Sequence, residues 1–389
     1  MRIRIRTKTL LAYLSILIVC LPYNTSFPEI VLTAERIASY FAFFYSALLF
    51  LKCRYWKQEQ LYILYCWFSW ALVSAFLTGT SIEYAISWVA PLLCGSICTL
   101  YLLKHDRENV IGTISWILTS LLIVQALSLV THYFGTIYGH HKYVNTYFFG
   151  IRVQINKIIP FSTYFGLISY KYDKKRIPWS LIISTVCGLF FVLSEKVSTS
   201  IVGYAVILAV FAFSAILRSE HLWRNLGIAL LIFAILFVLQ YSMEATFSRW
   251  LLVEVLNEDI TFTGRTSIWS QAFSYMNGLH WIVGNGIGHN YRFYLGVYWS
   301  ARSAHNQYLD TVFCFGIIGL IIYIFMCVKQ LKVNRIKRND YWTRAFLAVF
   351  YAMIIMQIPA TLYEQPFYYM FYVTSLYLPD MVDNQPQHE

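Results

Sequence analysis

The sequence predicts an all-α, polytopic integral membrane protein, and three observations carry that prediction. Of the 389 residues, 58% are hydrophobic and only 13% charged, a balance that ordinary soluble domains do not reach. Apolar stretches of roughly 15 to 21 residues recur to the C-terminus, near the length a helix needs to cross hydrocarbon. Lysines and arginines crowd into alternate loops, as positive-inside topology requires. About twelve transmembrane helices result, with 1–389 read as one transmembrane domain and a large outward loop containing short amphipathic helices.

Taken in order, the N-terminus MRIRIRTKT sets four basic residues ahead of an apolar run from Leu10 to Leu21. No small-x-small cleavage site follows, so it reads as a retained first span rather than a signal peptide. The spans are expected near 9–25, 33–51, 61–78, 84–103, 110–133, 155–170, 177–194, 199–217, 226–243, 308–328, 344–361 and 365–379. Two are short, the sixth and the last, which leaves eleven spans or a re-entrant segment as the alternative.

Placing the N-terminus in the cytoplasm puts 20 of the 30 basic residues inside and nine outside, with Arg344 at a boundary. Both termini are then cytoplasmic. The net charge of +11 would point to nucleic acid in a soluble chain. Here the basic inner loops account for it, and no nucleic-acid partner is expected. The outward cations Arg36, Lys142, Arg152, Lys157, Lys196, Arg249, Arg265, Arg292 and Arg302 run against topological preference. Either they snorkel to headgroups, Arg36 and Arg249 first, or they meet an anionic ligand. All eight cysteines fall in spans or on the inner side, so no disulfide framework is implied.

Chemistry concentrates in two outer segments, 134–157 and 244–307. The first mixes aromatic residues with His140, His141, Lys142, Arg152 and Lys157. In the second, Ile268, Trp269, Ala272, Phe273 and Met276 recur at helical spacing, and Gly278 is a natural stop. Arg265 then starts an amphipathic helix at the membrane surface, where free backbone N–H groups, the helix dipole and a guanidinium converge on a spot suited to phosphate or pyrophosphate. The alternative is an ion pair with Glu258 or Asp259.

The run Gly284 to Asn290, GNGIGHN, lacks the strand that precedes a nucleotide loop. Its glycines, Gly286 among them, allow a tight turn and close approach of backbone to a ligand. His289 is a ligand contact or an ordinary hydrogen-bonded loop histidine. Ser303 is a candidate N-cap for the tenth span, which leaves His305 in the first turn with Arg302 three residues away. A neutral imidazole there can take a proton from a hydroxyl, and a helix N-terminus favours that base form. The alternative is an interfacial histidine satisfied by Asp310 or a carbonyl. His280, His289 and His305 lack i,i+4 pairing and a carboxylate at ligand spacing, so no metal is expected. Neither a G-x-S-x-G elbow nor an outward cysteine nucleophile is present.

Gly264-Arg265 followed by Trp269, then Gly284 to Gly288, then His305-Asn306 opening a span with Gly316 and Gly319, resembles the signature of the O-antigen ligase and Wzy polymerase superfamily of bacterial surface-glycan enzymes. Where that family often has an arginine after a serine at the outer end of a central span, this chain has Ser194-Glu195-Lys196-Val197-Ser198, so Lys196 replaces it only in part. Arg152 to Asn156 is similar to the family's segment leading to an asparagine.

The resemblance implies a cofactor-free, metal-independent glycosyltransferase in the bacterial cytoplasmic (inner) membrane, with its site facing outward. Its substrates would be undecaprenyl-diphosphate-linked oligosaccharides, donor and acceptor, and a chain-length regulator and a flippase are the implied partners. A polymerase moves the growing glycan to the nonreducing end of a lipid-linked repeat unit, whereas a ligase moves it to lipid A-core. In this reading Arg265, helped by Arg152, Arg302 or Lys196, grips the diphosphate, and His305 activates the acceptor hydroxyl in one inverting displacement. Arg292, Asn306 and Gly286 complete the candidate substrate contacts. Polymerase is the favoured reading and ligase its alternative. A lipid-linked-glycan flippase or transporter is the rival from another class, disfavoured because the charges lie outside the spans and no internal repeat is evident.

Overall fold

The computed structural model describes residues 7–22, 28–131, 136–139, 142–172, 178–216, 219–242, 265–295, 299–301, 303–334 and 341–383. Before the first long loop come α1 (Thr7–Cys20), α2 (Glu29–Lys52), α3 (Tyr62–Leu77), α4 (Ile82–His105) and α5 (Val110–Thr131). After it come α6 (Ile159–Tyr172), α7 (Trp179–Ser194), α8 (Ser198–Ile216) and α9 (Glu220–Ser242). The second long loop carries α10 (Arg265–Ser274) and α11 (His280–Val283), and α12 (Gln307–Val333), α13 (Tyr341–Met356) and α14 (Pro366–Asp383) close the chain. A helix thus lies at each position where a span is expected. Among the described residues, six are long and apolar enough to cross a membrane: α2, α3 with its lead-in from Glu59, α4, α5, α8 and α12. Of the twelve helices expected to span, six thus have the length and composition to do so, and Thr7–Cys20, Trp179–Ser194, His221–Leu236 and Tyr341–Met356 are apolar but shorter.

The helix ends follow local chemistry. At the start of α4, Ser81 Oγ accepts the Tyr84 N–H at 3.2 Å, with Glu83 in the first turn and Lys104 and His105 in the last. Acid at the start and base at the end both oppose the helix dipole. α3 ends in a Schellman-type turn: Gly79 adopts φ 66° and the Thr80 N–H reaches back to the Ala75 carbonyl at 3.0 Å.

Strands qualify the all-α expectation. β1 (Thr136–Gly139), β2 (Lys142–Tyr147) and β3 (Gly150–Ile151) form a small antiparallel sheet in the first loop. β4 (Phe293–Leu295) and β5 (Trp299–Ala301) pair in the second. Such short runs, rich in Tyr, Thr, Val and Phe, pair locally where no apolar stretch is long enough to bury a helix. The first sheet is pinned to α5, because buried Gln125 accepts the Phe149 N–H at 2.8 Å and Ser128 accepts the Phe148 N–H at 3.1 Å.

Large aromatic side chains are buried deepest among α3, α4, α12, α13 and α14, where Trp67, Tyr323, Tyr363, Tyr368 and Tyr369 are essentially inaccessible. Trp67 Nε1 donates to the Tyr369 hydroxyl at 2.8 Å, so even this aromatic core satisfies its polar atoms where they meet. By contrast Phe76, Leu208 and Ile216 are 70% exposed or more, an apolar exterior suited to lipid and costly in water. One end of the bundle is basic and tied by Lys104 to Gln58 and Lys329 to the Glu59 carbonyl. The opposite, loop-rich end gathers both long loops and the turn between α13 and α14.

Candidate functional site

The site is built around a break in a helix. Inside α12, Gly316 takes φ 67° and ψ −172°, which no right-handed helix contains. The carbonyls freed by that break must find donors, because hydrocarbon offers none. Phe313 accepts the Asn285 N–H at 2.7 Å and Cys314 the Gly286 N–H at 3.0 Å. Trp70 Nε1 reaches the Phe315 carbonyl at 2.8 Å, and Ser74 Oγ bridges the Val283 and Cys314 carbonyls.

The glycine-rich run is thus the plug for the broken helix. A Cβ on Gly284 would lie 2.4 Å from the Cys314 carbonyl, and one on Gly316 2.1 Å from the Ile282 carbonyl oxygen. Gly286 is buried against Thr78 and Thr80, so its close approach is to α3 and α12. His280 Nδ1 stands 2.9 Å from the Gly284 carbonyl, and buried His289 packs edge-on to Phe313 at 4.9 Å. Both are structural parts of that plug.

Next to the plug lies the His305 segment. Asn306, not Ser303, is the N-cap of α12: its side chain accepts the Leu309 N–H at 2.9 Å and donates to the Ile358 carbonyl at 2.6 Å. Ser303 instead accepts the His305 N–H at 3.1 Å. His305 has φ 51°, a left-handed conformation that keeps it out of the first helical turn. It sits half-buried at the mouth of α12, one residue before the cap. Asp310, considered above as a partner for His305, takes the Ala304 N–H at 2.8 Å on one oxygen and the Tyr363 hydroxyl at 2.8 Å on the other.

α10 is where the spacing of Ile268, Trp269 and Ala272 places it, and all three side chains are fully buried. Trp269 Nε1 donates to the Ala304 carbonyl at 3.0 Å. One turn of helix therefore separates Arg265, the first residue of α10, from an anchor on the residue preceding His305. Gln271 pairs with Tyr294 in both directions, at 2.7 and 2.8 Å, and so lays β4 along α10. Half-buried Arg292 is carried toward the C-terminal end of α10, away from Arg265.

The first loop supplies a second basic group. Arg152 Nη1 donates to the Glu195 carbonyl at 3.1 Å, which caps the end of α7 and sets Arg152 beside Lys196, itself at φ 51°. Burial pushes the Tyr147 phenol, which lies against Glu195, up to about 12. Ser200 at the start of α8 donates to buried Asn156. Lys157, the last residue of the short 3-10 helix Arg152–Lys157, forms a 3.0 Å ion pair with Glu364.

The structure thus brings Arg152 and Lys196 together, and His305 and Asn306 together with the start of α10. It sets Gly286 and Arg292 apart. Arg302, His140, His141, Arg249, Glu258, Asp259 and Gly264 lie outside the described residues, as does the Arg265 side chain.

Residues the sequence did not single out join these parts. Gln307 Oε1 accepts the Leu362 and Tyr363 N–H groups at 2.8 and 3.1 Å, and its own N–H meets the Gln357 carbonyl at 2.9 Å. Gln357 Oε1 receives the Tyr323 and Tyr308 hydroxyls. The α13–α14 turn is thereby locked to the mouth of α12. Burial and the nearby Asp310 carboxylate push the Tyr363 phenol up, so it remains the donor of its pair. The only sequence signal was the oddity of glutamines and a Tyr-Glu-Gln run flanking apolar spans. Among the described residues, His, Cys, Asp and Glu form no group of three able to hold a metal ion.

Comparison with curated proteins finds no match, and neither does comparison with solved structures. A family model does match, over residues 183–324, and its description is O-antigen ligase. The stretch from α7 into α12, which carries Arg265, the glycine plug and His305, is therefore similar to the O-antigen ligase family, consistent with the O-antigen ligase and Wzy superfamily.

Proposed function

We propose that the protein is a surface-polysaccharide polymerase of the bacterial inner membrane. It transfers a growing glycan from undecaprenyl diphosphate to the nonreducing end of a lipid-linked repeat unit. The observation that carries this reading is the 3.0 Å tie from Trp269 to Ala304, which holds the N-terminus of α10 and the His305 segment as one unit. The loop-rich end faces outward and the basic end lies in the cytoplasm, in line with the distribution of Lys and Arg.

Transfer breaks the anomeric C–O bond to diphosphate and forms a new one to the acceptor oxygen. The His305 imidazole takes the acceptor hydroxyl's proton as that oxygen attacks. Negative charge develops on the departing diphosphate, where Arg265 and the free N–H groups opening α10 stabilise it. Arg152 and Lys196 form a second basic group on the same end of the bundle, placed to hold the rest of the lipid diphosphate. The description of the matched family favours a second reading, ligase, with lipid A-core as acceptor.

Deleting the gene separates the two. A polymerase leaves a single repeat unit where a ladder stood on a gel of the surface glycan. A ligase leaves full-length chains stranded on undecaprenyl diphosphate, and an unchanged glycan would overturn both readings.

A further inference from the structure

A groove of about 1290 Å³ opens at the loop-rich end between α1, α2 and α4, roofed by the first loop and the α13–α14 turn. None of its lining residues falls within 183–324, so it lies wholly outside the stretch that the family model matches. It exceeds the usual small-molecule pocket of about 300–1,000 Å³ and has room for several sugar rings.

The lining is specific in its chemistry. Tyr40, Tyr84 and Trp88 offer flat apolar faces of the kind that stack on pyranose rings. Three carboxylates, Glu35, Glu83 and Glu364, are acceptor-only groups suited to sugar hydroxyls, and the Gln154 amide adds a donor and an acceptor. Against these stand two cations, Arg36 and Lys157, and Lys157 is held by Glu364 at 3.0 Å. A diphosphate would meet more negative than positive charge here, the reverse of what it needs.

The groove also adjoins the transfer site. Glu364 lines it, whereas Tyr363, the preceding residue, turns inward to Asp310, which holds the backbone beside His305. The α13–α14 turn is the wall between the two.

We propose that this groove binds the saccharide of the acceptor, a hydroxyl-rich glycan without net negative charge, while the diphosphate of the donor is held on the Arg265 side. The proposal rests on the transfer reading above and names where its second substrate lies.

The test is cysteine protection in the full-length protein, in cells of the source strain with the outer membrane permeabilised. Ser87→Cys and Ser39→Cys place reporters in the groove, and Thr131→Cys at the exposed end of α5 places one outside it. The probe is a membrane-impermeant maleimide, applied with repeat-unit synthesis intact or blocked at its first step. With repeat units present, labelling at 87 and 39 should slow roughly fivefold, as four-fifths occupancy gives by mass action, while labelling at 131 stays constant.

Equal rates at 87 and 39 in both backgrounds would overturn the groove assignment and leave the transfer reading standing if deletion still abolishes the ladder. Protection at 87 and 39 in a strain whose glycan is unchanged by deletion would support the groove and sink the transfer reading. Labelling at none of the three sites would put the groove on the cytoplasmic face and overturn both.

Discussion

Arg265→Ala and His305→Ala should each lower the rate of chain transfer by about two to four orders of magnitude, with protein levels in the membrane unchanged. The range is that for removing a positioned base or a donor aimed at developing charge. Arg265 is the first residue of α10, and His305 is half-buried outside α12. Because both act on one displacement, the double variant should be little worse than the more damaging single one. Quantifying lengthened lipid-linked glycan per unit of membrane protein checks this. Full activity in both single variants would remove the assignment.

Gly316→Ala and Gly284→Ala carry the largest expected cost in stability, several kcal/mol each, since overpacking adds about 1–3 kcal/mol to the strain of a left-handed residue. Their Cβ atoms would stand 2.1 and 2.4 Å from backbone that cannot move without undoing the break in α12. Gly79→Ala and Gly278→Ala are the comparison sites, with positive φ of 66° and 48° but nothing within 4 Å of the added carbon. These should cost only about 1 kcal/mol. Thermal unfolding of the purified protein in detergent compares the pairs. Equal losses would mean that backbone conformation alone, not the packing of plug against helix, makes glycine necessary.

What could be read from the sequence was whatever depends on period and composition. Helices lie where apolar runs lie, and α10 buries Ile268, Trp269 and Ala272 as their spacing requires. The order Arg265, glycine-rich run, His305 falls within the stretch that the family model matches.

What escaped was set by tertiary partners. Ser303 and Asn306 are both good caps three residues apart, and only the Ile358 carbonyl, 52 residues on, selects Asn306. Gly316 in an apolar span looks like any small residue at a helix contact, so the break and its plug left no local trace. The meeting of Arg152 with the Lys196 turn, and of Lys157 with Glu364, joins segments far apart in the chain. The groove is formed by five separate stretches, each unremarkable alone.

The most direct test of the account reconstitutes the purified protein in lipid with the host's undecaprenyl-diphosphate-linked repeat unit as the sole glycan. Lengthened lipid-linked chains, with one undecaprenyl diphosphate released per unit added, are the predicted result. Transfer that begins only when lipid A-core is supplied, or none at all, would contradict it.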